Sequence, residues 1–370
     1  MENLNIFKPL FAFDHSPIKA YFSKNSDDFV VREIPLYEFS GKGEHLVLHI
    51  QKKGFTTAEM LKVFSAISGA KVRDFGYAGL KDKSGMTTQY VTILRKFEDS
   101  FRDFNHENIK ILDKTYHDNK LRIGHLKGNS FFIRLKKVNN VDALKLIEIC
   151  KKIDKTGFPN YFGYQRFGKF GDNAEQGREI LEGFNRTKNP KIRNFLISAY
   201  QSEIFNIWLS KRVELSKVFR DLNVDEISKI YGFDLETTKA IKIQSNLFKI
   251  LPGDLLSHYP FGKIFLCENL DSEVDRFIKR DITVAGLLFG KRALQPVSLA
   301  SQFGSEIYSK CAKFEDQTDG THRFAWEYPK NLNFKYDEEN AHFTLSFELD
   351  KGVYATTFLE EILHVRVKFS

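Results

Sequence analysis

Gly76-Tyr77-Ala78-Gly79-Leu80-Lys81-Asp82-Lys83-Ser84-Gly85-Met86-Thr87-Thr88-Gln89 is the stretch around which the rest of the chain organises itself. A short apolar run, Phe75 to Leu80, enters a knot of charged and small residues, and a strand rich in β-formers leaves it at Gln89-Tyr90-Val91-Thr92-Ile93-Leu94. A carboxylate at a turn between Lys81 and Lys83 is favoured in its charged form, which makes Asp82 available as a nucleophile or base. The same residues also make an ordinary solvated turn, so the flanking sequence has to decide.

Upstream, residues 29–39 and 44–54 are two strand-like runs separated by Ser40-Gly41-Lys42-Gly43, a pattern that predicts a hairpin. Thr56-Thr57-Ala58-Glu59 opens a helix running to Ala70, with Met60, Val63, Phe64 and Ile67 on its apolar side. Downstream, residues 121–135 read as a strand, and Asn140-Val141-Asp142 begins a helix carrying Leu144, Ile147 and Ile149. Strand pairs alternating with helices predict an α+β domain, its mixed or antiparallel sheet flanked by helices. Residues 175 to about 320 are largely helical in pattern, as in Ile197, Tyr200, Ile204, Ile207 and Trp208. Ala341 to Leu349 alternates like a strand, followed by a short helix from Phe358 to Leu363. A strand this late returns to the first sheet if residues 1–184 and 323–370 form one discontinuous domain and 185–322 an inserted, largely helical one.

The 370 residues carry 56 Lys and Arg against 48 Asp and Glu, a net charge of +8 and a pI near 9.1. That is a modest bias toward a polyanionic partner. With 42% hydrophobic and 28% charged residues the chain is a folded protein rather than a disordered, collagenous or coiled-coil one. Cys150, Cys267 and Cys311 are far apart with no CxxC spacing, which fits a reducing compartment, the cytoplasm, and neither a disulfide scaffold nor a zinc site. No signal peptide and no apolar run long enough for a membrane span is evident. Minimal motifs for nucleotide hydrolysis, dinucleotide binding, zincin chemistry and α/β-hydrolases are lacking, and the histidines show no metal-ligand spacing; neither a metal nor a cofactor is expected.

Two further segments carry chemistry. Residues 157–173 intersperse Gly157, Gly163, Gly168 and Gly171 with aromatics and break the periodicity. There Asn160, Phe162, Gln165, Arg166 and Phe167 offer rings for stacking a base, amides for its edge and a guanidinium for phosphate. Lys120 to Asn129 adds Arg122 and Lys127 among small residues. A packed loop with core phenylalanines and solvated cations is the plainer alternative for both.

Six segments together carry a resemblance: residues 26–54, the GYAGLKDKSGMTTQ stretch, LRIGHLKGNSF (121–131), GFPNYFGYQRFG (157–168), FLISAYQSEIFN (195–206) and GVYATTFLEE (352–361). They resemble, in order and across nearly the whole chain, the motifs of the TruD family of tRNA pseudouridine synthases. The resemblance implies a cofactor-independent isomerisation of uridine to pseudouridine in tRNA, at position 13 in bacterial members. It places the family's GxKD aspartate on Asp82 and the phenylalanine of its PEDF-like segment on Phe29. It places the asparagine and aromatic of NYF on Asn160 and Phe162, and a late aromatic on Tyr354; Phe29, Asn160, Phe162 and Tyr354 then line the uridine pocket. Lys81, Arg122, Lys127 and Arg166 are the expected RNA-binding cations. The chain departs from the family pattern at Ser26-Asp27, where Pro-Glu is usual, at Gly85, where Ala is common, and at Tyr164, where Glu or a small residue is usual. The lysine expected to pair with the catalytic aspartate falls on Lys24 only after a one-position shift.

The sequence thus points to an RNA isomerase away from membranes; it leaves the oligomeric state open, with a monomer favoured. A non-catalytic RNA-binding or RNA-chaperone protein would use the same surface, and a metal-dependent nuclease is disfavoured by the lysines around Asp82.

Overall fold

The computed structural model describes residues 9–366. Two compact units emerge: a sheet unit of residues 17–154 and 329–355 with the described residues 365–366, and a helical unit of 9–16, 155–328 and 356–364. The segment 185–322 lies inside the second.

The sheet unit is built on strands β1 (Tyr21–Phe22), β2 (Phe29–Pro35), β3 (His45–Lys53), β4 (Gly76–Tyr77), β5 (Met86–Leu94), β6 (Ile109–His117) and β7 (Leu126–Lys136), with helices α1 (Thr57–Ser68) and α2 (Asn140–Thr156). Two late strands, Lys330–Asp337 and His342–Asp350, complete nine. Across the sheet the order is Lys330–Asp337, His342–Asp350, β7, β2, β5, β3, β6, with β1 added on β7 and β4 on β5. The late strand does return, pairing antiparallel with β7 in a register that sets Leu345 opposite Ile133. The expected hairpin does not form. β5 lies between β2 and β3, parallel to β2 and antiparallel to β3, so the turn at 40–43 joins strands that are not neighbours. The sheet is mixed and α+β in character, as the alternation of elements predicted.

Helix α1 has the capping box that Thr56 and Glu59 encode and ends on Gly69 at φ 69°. Met60 and Phe64 from α1 join Leu46, Leu48, Ile50, Val91 and Ile93 in one core, whereas Ile67 is exposed. α2 is rotated from the expected face. Ala143, Leu146, Ile149, Cys150 and Ile153 are buried and Leu144 is solvent-exposed, because the i, i+3, i+7, i+10 stripe runs from Ala143. Residues 121–125 form a turn, and the strand begins only at Leu126.

The helical unit contains α3 (Asn173–Glu182) and the 32-residue α4 (Pro190–Asp221). Ile197, Tyr200, Ile204 and Trp208 of α4 enter its core, as their spacing predicted. The unit also holds a four-stranded sheet, Ile264–Leu266, Leu255–His258, Ile282–Leu288 and Thr321–Phe324 in that order, which the helical pattern of the sequence did not disclose.

Candidate active site

Asp82 lies in the sheet unit on the loop joining β4 to β5. Its side chain is exposed and its main chain is held from below. The N–H of Lys81 donates to Thr57 Oγ1 (2.8 Å), the carbonyl of Lys81 accepts from the Thr57 N–H (3.2 Å), and the Thr57 hydroxyl donates to Gln89 Oε1 (2.8 Å). The first residue of α1 thereby grips the peptide just before Asp82. From the end of β3, Lys52 Nζ donates to the carbonyls of Phe55 (2.5 Å), Asp82 (2.9 Å) and Lys81 (3.4 Å). Lys52 keeps the side-chain parity of Leu46, Leu48 and Ile50, so its stem runs on the core face and the residue is 1% exposed. Burial draws its ammonium down to about 8 against the upward pull of the Asp82 charge.

On its other side the loop is tied to the turn before β2. Gly85 N–H donates to the Lys24 carbonyl (2.7 Å). Gly85 has φ 74°, and a Cβ there would sit 2.5 Å from the Phe29 carbonyl oxygen and 2.7 Å from its ring Cδ1. Phe29 is half-buried, its ring meeting Phe22 edge-on at 5.7 Å. Half-buried Lys24 is lowered by burial, and the Asp82 charge opposes that shift. Lys24, one position off the simplest register, is thus a cation on which the Asp82 charge acts.

The preceding turn is itself anchored by fully buried Asp28. Its carboxylate meets Lys136 at 2.6 Å and Arg134 at 3.3 Å and accepts from Asn25 (2.7 Å) and Ser23 (3.1 Å). Burial alone would raise this carboxyl; the bonds from Lys136, Asn25 and Ser23 hold it below the usual range.

Lys81 is corrected by the structure. Expected among the phosphate-binding cations, it is 7% exposed, with Nζ 3.1 Å from Glu33 Oε2 and donating to Asn129 Oδ1 (2.6 Å). Its charge turns inward to a carboxylate that burial pushes up and Lys81 draws back. Arg122 and Lys127 are exposed, as expected, on the segment that the Gly124 N–H fastens to the Ala78 carbonyl (2.8 Å). Tyr354 is half-buried just after the late strand His342–Asp350.

Asn160, Phe162 and Arg166 cluster in the helical unit. Asn160 is 2% exposed; its amide donates to the Phe324 carbonyl (2.9 Å) and its oxygen accepts from Arg323 (2.6 Å). The Arg323 guanidinium lies 4.0 Å from the centre of the Phe162 ring, and Phe205 meets that ring edge-on at 5.6 Å. Asn206 holds the Phe162 main chain at both ends, accepting from its N–H (2.9 Å) and donating to its carbonyl (3.0 Å). Arg166 donates to Ser198 (2.6 Å) and Ser202 (3.1 Å) of α4. Lys52, Glu33, Asn129, Asn206 and Arg323 were not singled out from sequence. Asn206 ends one of the quoted motifs, and Lys52 is betrayed by its parity in β3.

Among the described residues no group of three or more His, Cys, Asp or Glu is spaced to hold a metal ion, and no helix is long and apolar enough to cross a membrane.

A sequence profile described as tRNA pseudouridine synthase D (TruD) matches residues 6–188. Proteins named tRNA pseudouridine synthase D from Campylobacter jejuni and Wolinella succinogenes are 57% and 46% identical to this chain over 98% and 97% of it, spanning 98% and 99% of their own lengths. A crystal structure titled putative tRNA pseudouridine synthase D (TruD) from Methanosarcina mazei shares the fold with a TM-score of 0.70 at 19% identity, covering 96% of each chain. The full-length relatives define an RNA-modifying isomerase class. The chain belongs to the TruD family of tRNA pseudouridine synthases.

Proposed function

We propose that this protein isomerises uridine to pseudouridine in tRNA, at position 13, without a cofactor and with Asp82 as the essential carboxylate. Family membership supports the activity. For Asp82 the supporting observation is its setting: main chain clamped by Thr57 and Lys52, side chain exposed, and Lys24 and Phe29 tied to the same loop. The isomerisation breaks N1–C1′, turns the uracil, joins C5 to C1′ and transfers the C5 proton away while N1 gains one, so the product has the atoms of the substrate. A fixed carboxylate either attacks C1′ or takes the C2′ proton to give a glycal. Fixing the main chain limits the reorganisation needed to place that oxygen.

The target nucleotide has to leave its stack, at about a few kcal/mol, and be held by rings and edge contacts. Phe29, Phe162 and Tyr354 are assigned the ring contacts, Asn160 the polar lining and Arg122, Lys127 and Arg166 the phosphates. Asn160 acts here through the Arg323 pair that sets its orientation. Residues 185–322 are assigned as the family's inserted domain, and the enzyme as a cytoplasmic monomer.

Asp82→Asn should bind tRNA as the parent does and form no pseudouridine, measured by carbodiimide-dependent primer-extension stops. Product at the parental rate would remove Asp82 from the mechanism.

A further inference from the structure

Within the helical unit, the stretch Phe184-Asn185-Arg186-Thr187-Lys188-Asn189-Pro190-Lys191-Ile192-Arg193-Asn194-Phe195 holds four cations and no carboxylate. Other cations of the unit sit in ion pairs, as Lys211 does with Glu214 at 2.7 Å and Lys217 with Asp14 at 2.5 Å. Among the described residues, Arg186, Lys188, Lys191 and Arg193 have no such carboxylate partner. The result is a local block of uncompensated positive charge, complementary to a polyanion.

Aromatic rings accompany it. The end of α3 is a Schellman turn: Gly183 at φ 82° donates to the Ile180 carbonyl and Phe184 N–H to the Glu179 carbonyl (2.9 Å). The residue at the Phe184 position of such a turn commonly tucks against the helix. Here the backbone is fixed but the ring is 83% exposed. Phe195, one turn into α4, is 44% exposed, and the Arg166 guanidinium lies 5.3 Å from its ring centre, joining this surface to the 157–173 loop. Arg193 and Asn194 also line a cavity of about 330 Å³ shared with Lys291, Thr318, Asp316 and Asp319, a mixed-charge lining suited to a ribose edge.

We propose that the 184–195 surface binds the tRNA substrate away from the target uridine, Phe184 stacking on an unpaired base while Arg186, Lys188 and Lys191 hold flanking phosphates. This rests on the functional reading above for the identity of the RNA. The test compares the parent with the triple variant Arg186→Gln, Lys188→Gln, Lys191→Gln and with Phe184→Ala. Filter binding of tRNA over a range of salt gives the affinity, single-turnover pseudouridine formation at saturating enzyme gives the chemistry, and the unfolding midpoint verifies the fold.

Each variant should bind about ten-fold more weakly with an unchanged saturated rate. The triple variant should also flatten the slope of log affinity against log salt by about two to three. Parental affinity and slope in both variants would overturn the proposal and leave the surface to a protein partner, and so would a loss confined to the saturated rate. If the parent binds tRNA with the expected slope but forms no pseudouridine, the activity assignment fails while the surface stands.

Discussion

The ammonium of Lys52 lies 2.9 Å from the main-chain carbonyl oxygen of Asp82, so a buried lysine at a strand end sets the height of an exposed aspartate two elements away. Replacing Lys52 with Met keeps most of the stem and leaves the carbonyls of Phe55, Lys81 and Asp82 without their shared donor. The expected outcome is a stability loss of about 1–3 kcal/mol and a fall in kcat larger than any change in KM. Single-turnover kinetics with chemical denaturation check both.

The same lysine gives opposite pH responses for activity and stability. Its ammonium, ordinarily near 10.5, is lowered to about 8, so between those values the unfolded chain binds the proton more tightly than the folded one and this group's contribution to stability rises with pH. Above pH 8, however, the neutral amine has one donor fewer for its three carbonyls. Activity should decline through an apparent pKa near 8 with no matching drop in the unfolding midpoint, and the Lys52→Met variant should lack that limb. A parental profile flat to pH 9.5 would contradict this.

Gly85→Ala is expected to be harmful in this chain although alanine is common at that place in the family. Positive φ and a Cβ 2.5 Å from the Phe29 carbonyl together make about 2 kcal/mol or more of destabilisation the expected result. The strain falls on Phe29, so kcat/KM for tRNA should drop even at temperatures where the variant is fully folded.

Glu33→Ala strands the buried ammonium of Lys81 and should lower stability by about 3–5 kcal/mol. Combining it with Lys81→Met should recover part of that loss, because neither charge is then buried alone. A double-mutant cycle with strictly additive values would show that the pair is not coupled.

In the helical unit, Glu361 accepts from the N–H groups of Ala12 (2.7 Å) and Phe13 (3.1 Å), and burial raises it to about 8. A carboxyl raised on folding contributes fully below its ordinary value of 4.5 and progressively less up to about 8. The parent should therefore lose stability as pH rises across that window, and Glu361→Gln should flatten the trend. Unfolding midpoints at pH 5 and pH 8 measure the difference.

The parts of the fold legible in the sequence were those written in local chemistry. Thr56 and Glu59 announce a capped helix because the two side chains satisfy each other's main chain. Alternation in residues 341–349 announces a strand because one face must be apolar. Strand order is not local: nothing in β2 or β3 records that β5 will lie between them, so a loop of turn-forming residues passed for a hairpin. The site divides likewise. Asp82 and its two lysines form a visible motif, but a lysine in a charged strand end looks solvated until its parity with Leu46, Leu48 and Ile50 is noticed. Lys81 looked like a phosphate ligand because its partners, Glu33 and Asn129, are 48 residues away in either direction at most and adjacent only in space.

The pairing of His342–Asp350 with β7 also has a bearing on synthesis at the ribosome. β7 is complete by Lys136, yet one of its edges acquires its neighbour only after more than two hundred further residues have emerged. A nascent chain therefore carries an open strand edge through most of its translation, the kind of edge that invites pairing with another copy. The segment between can bury its own core during that interval, and the scaffold beneath Asp82 is closed last.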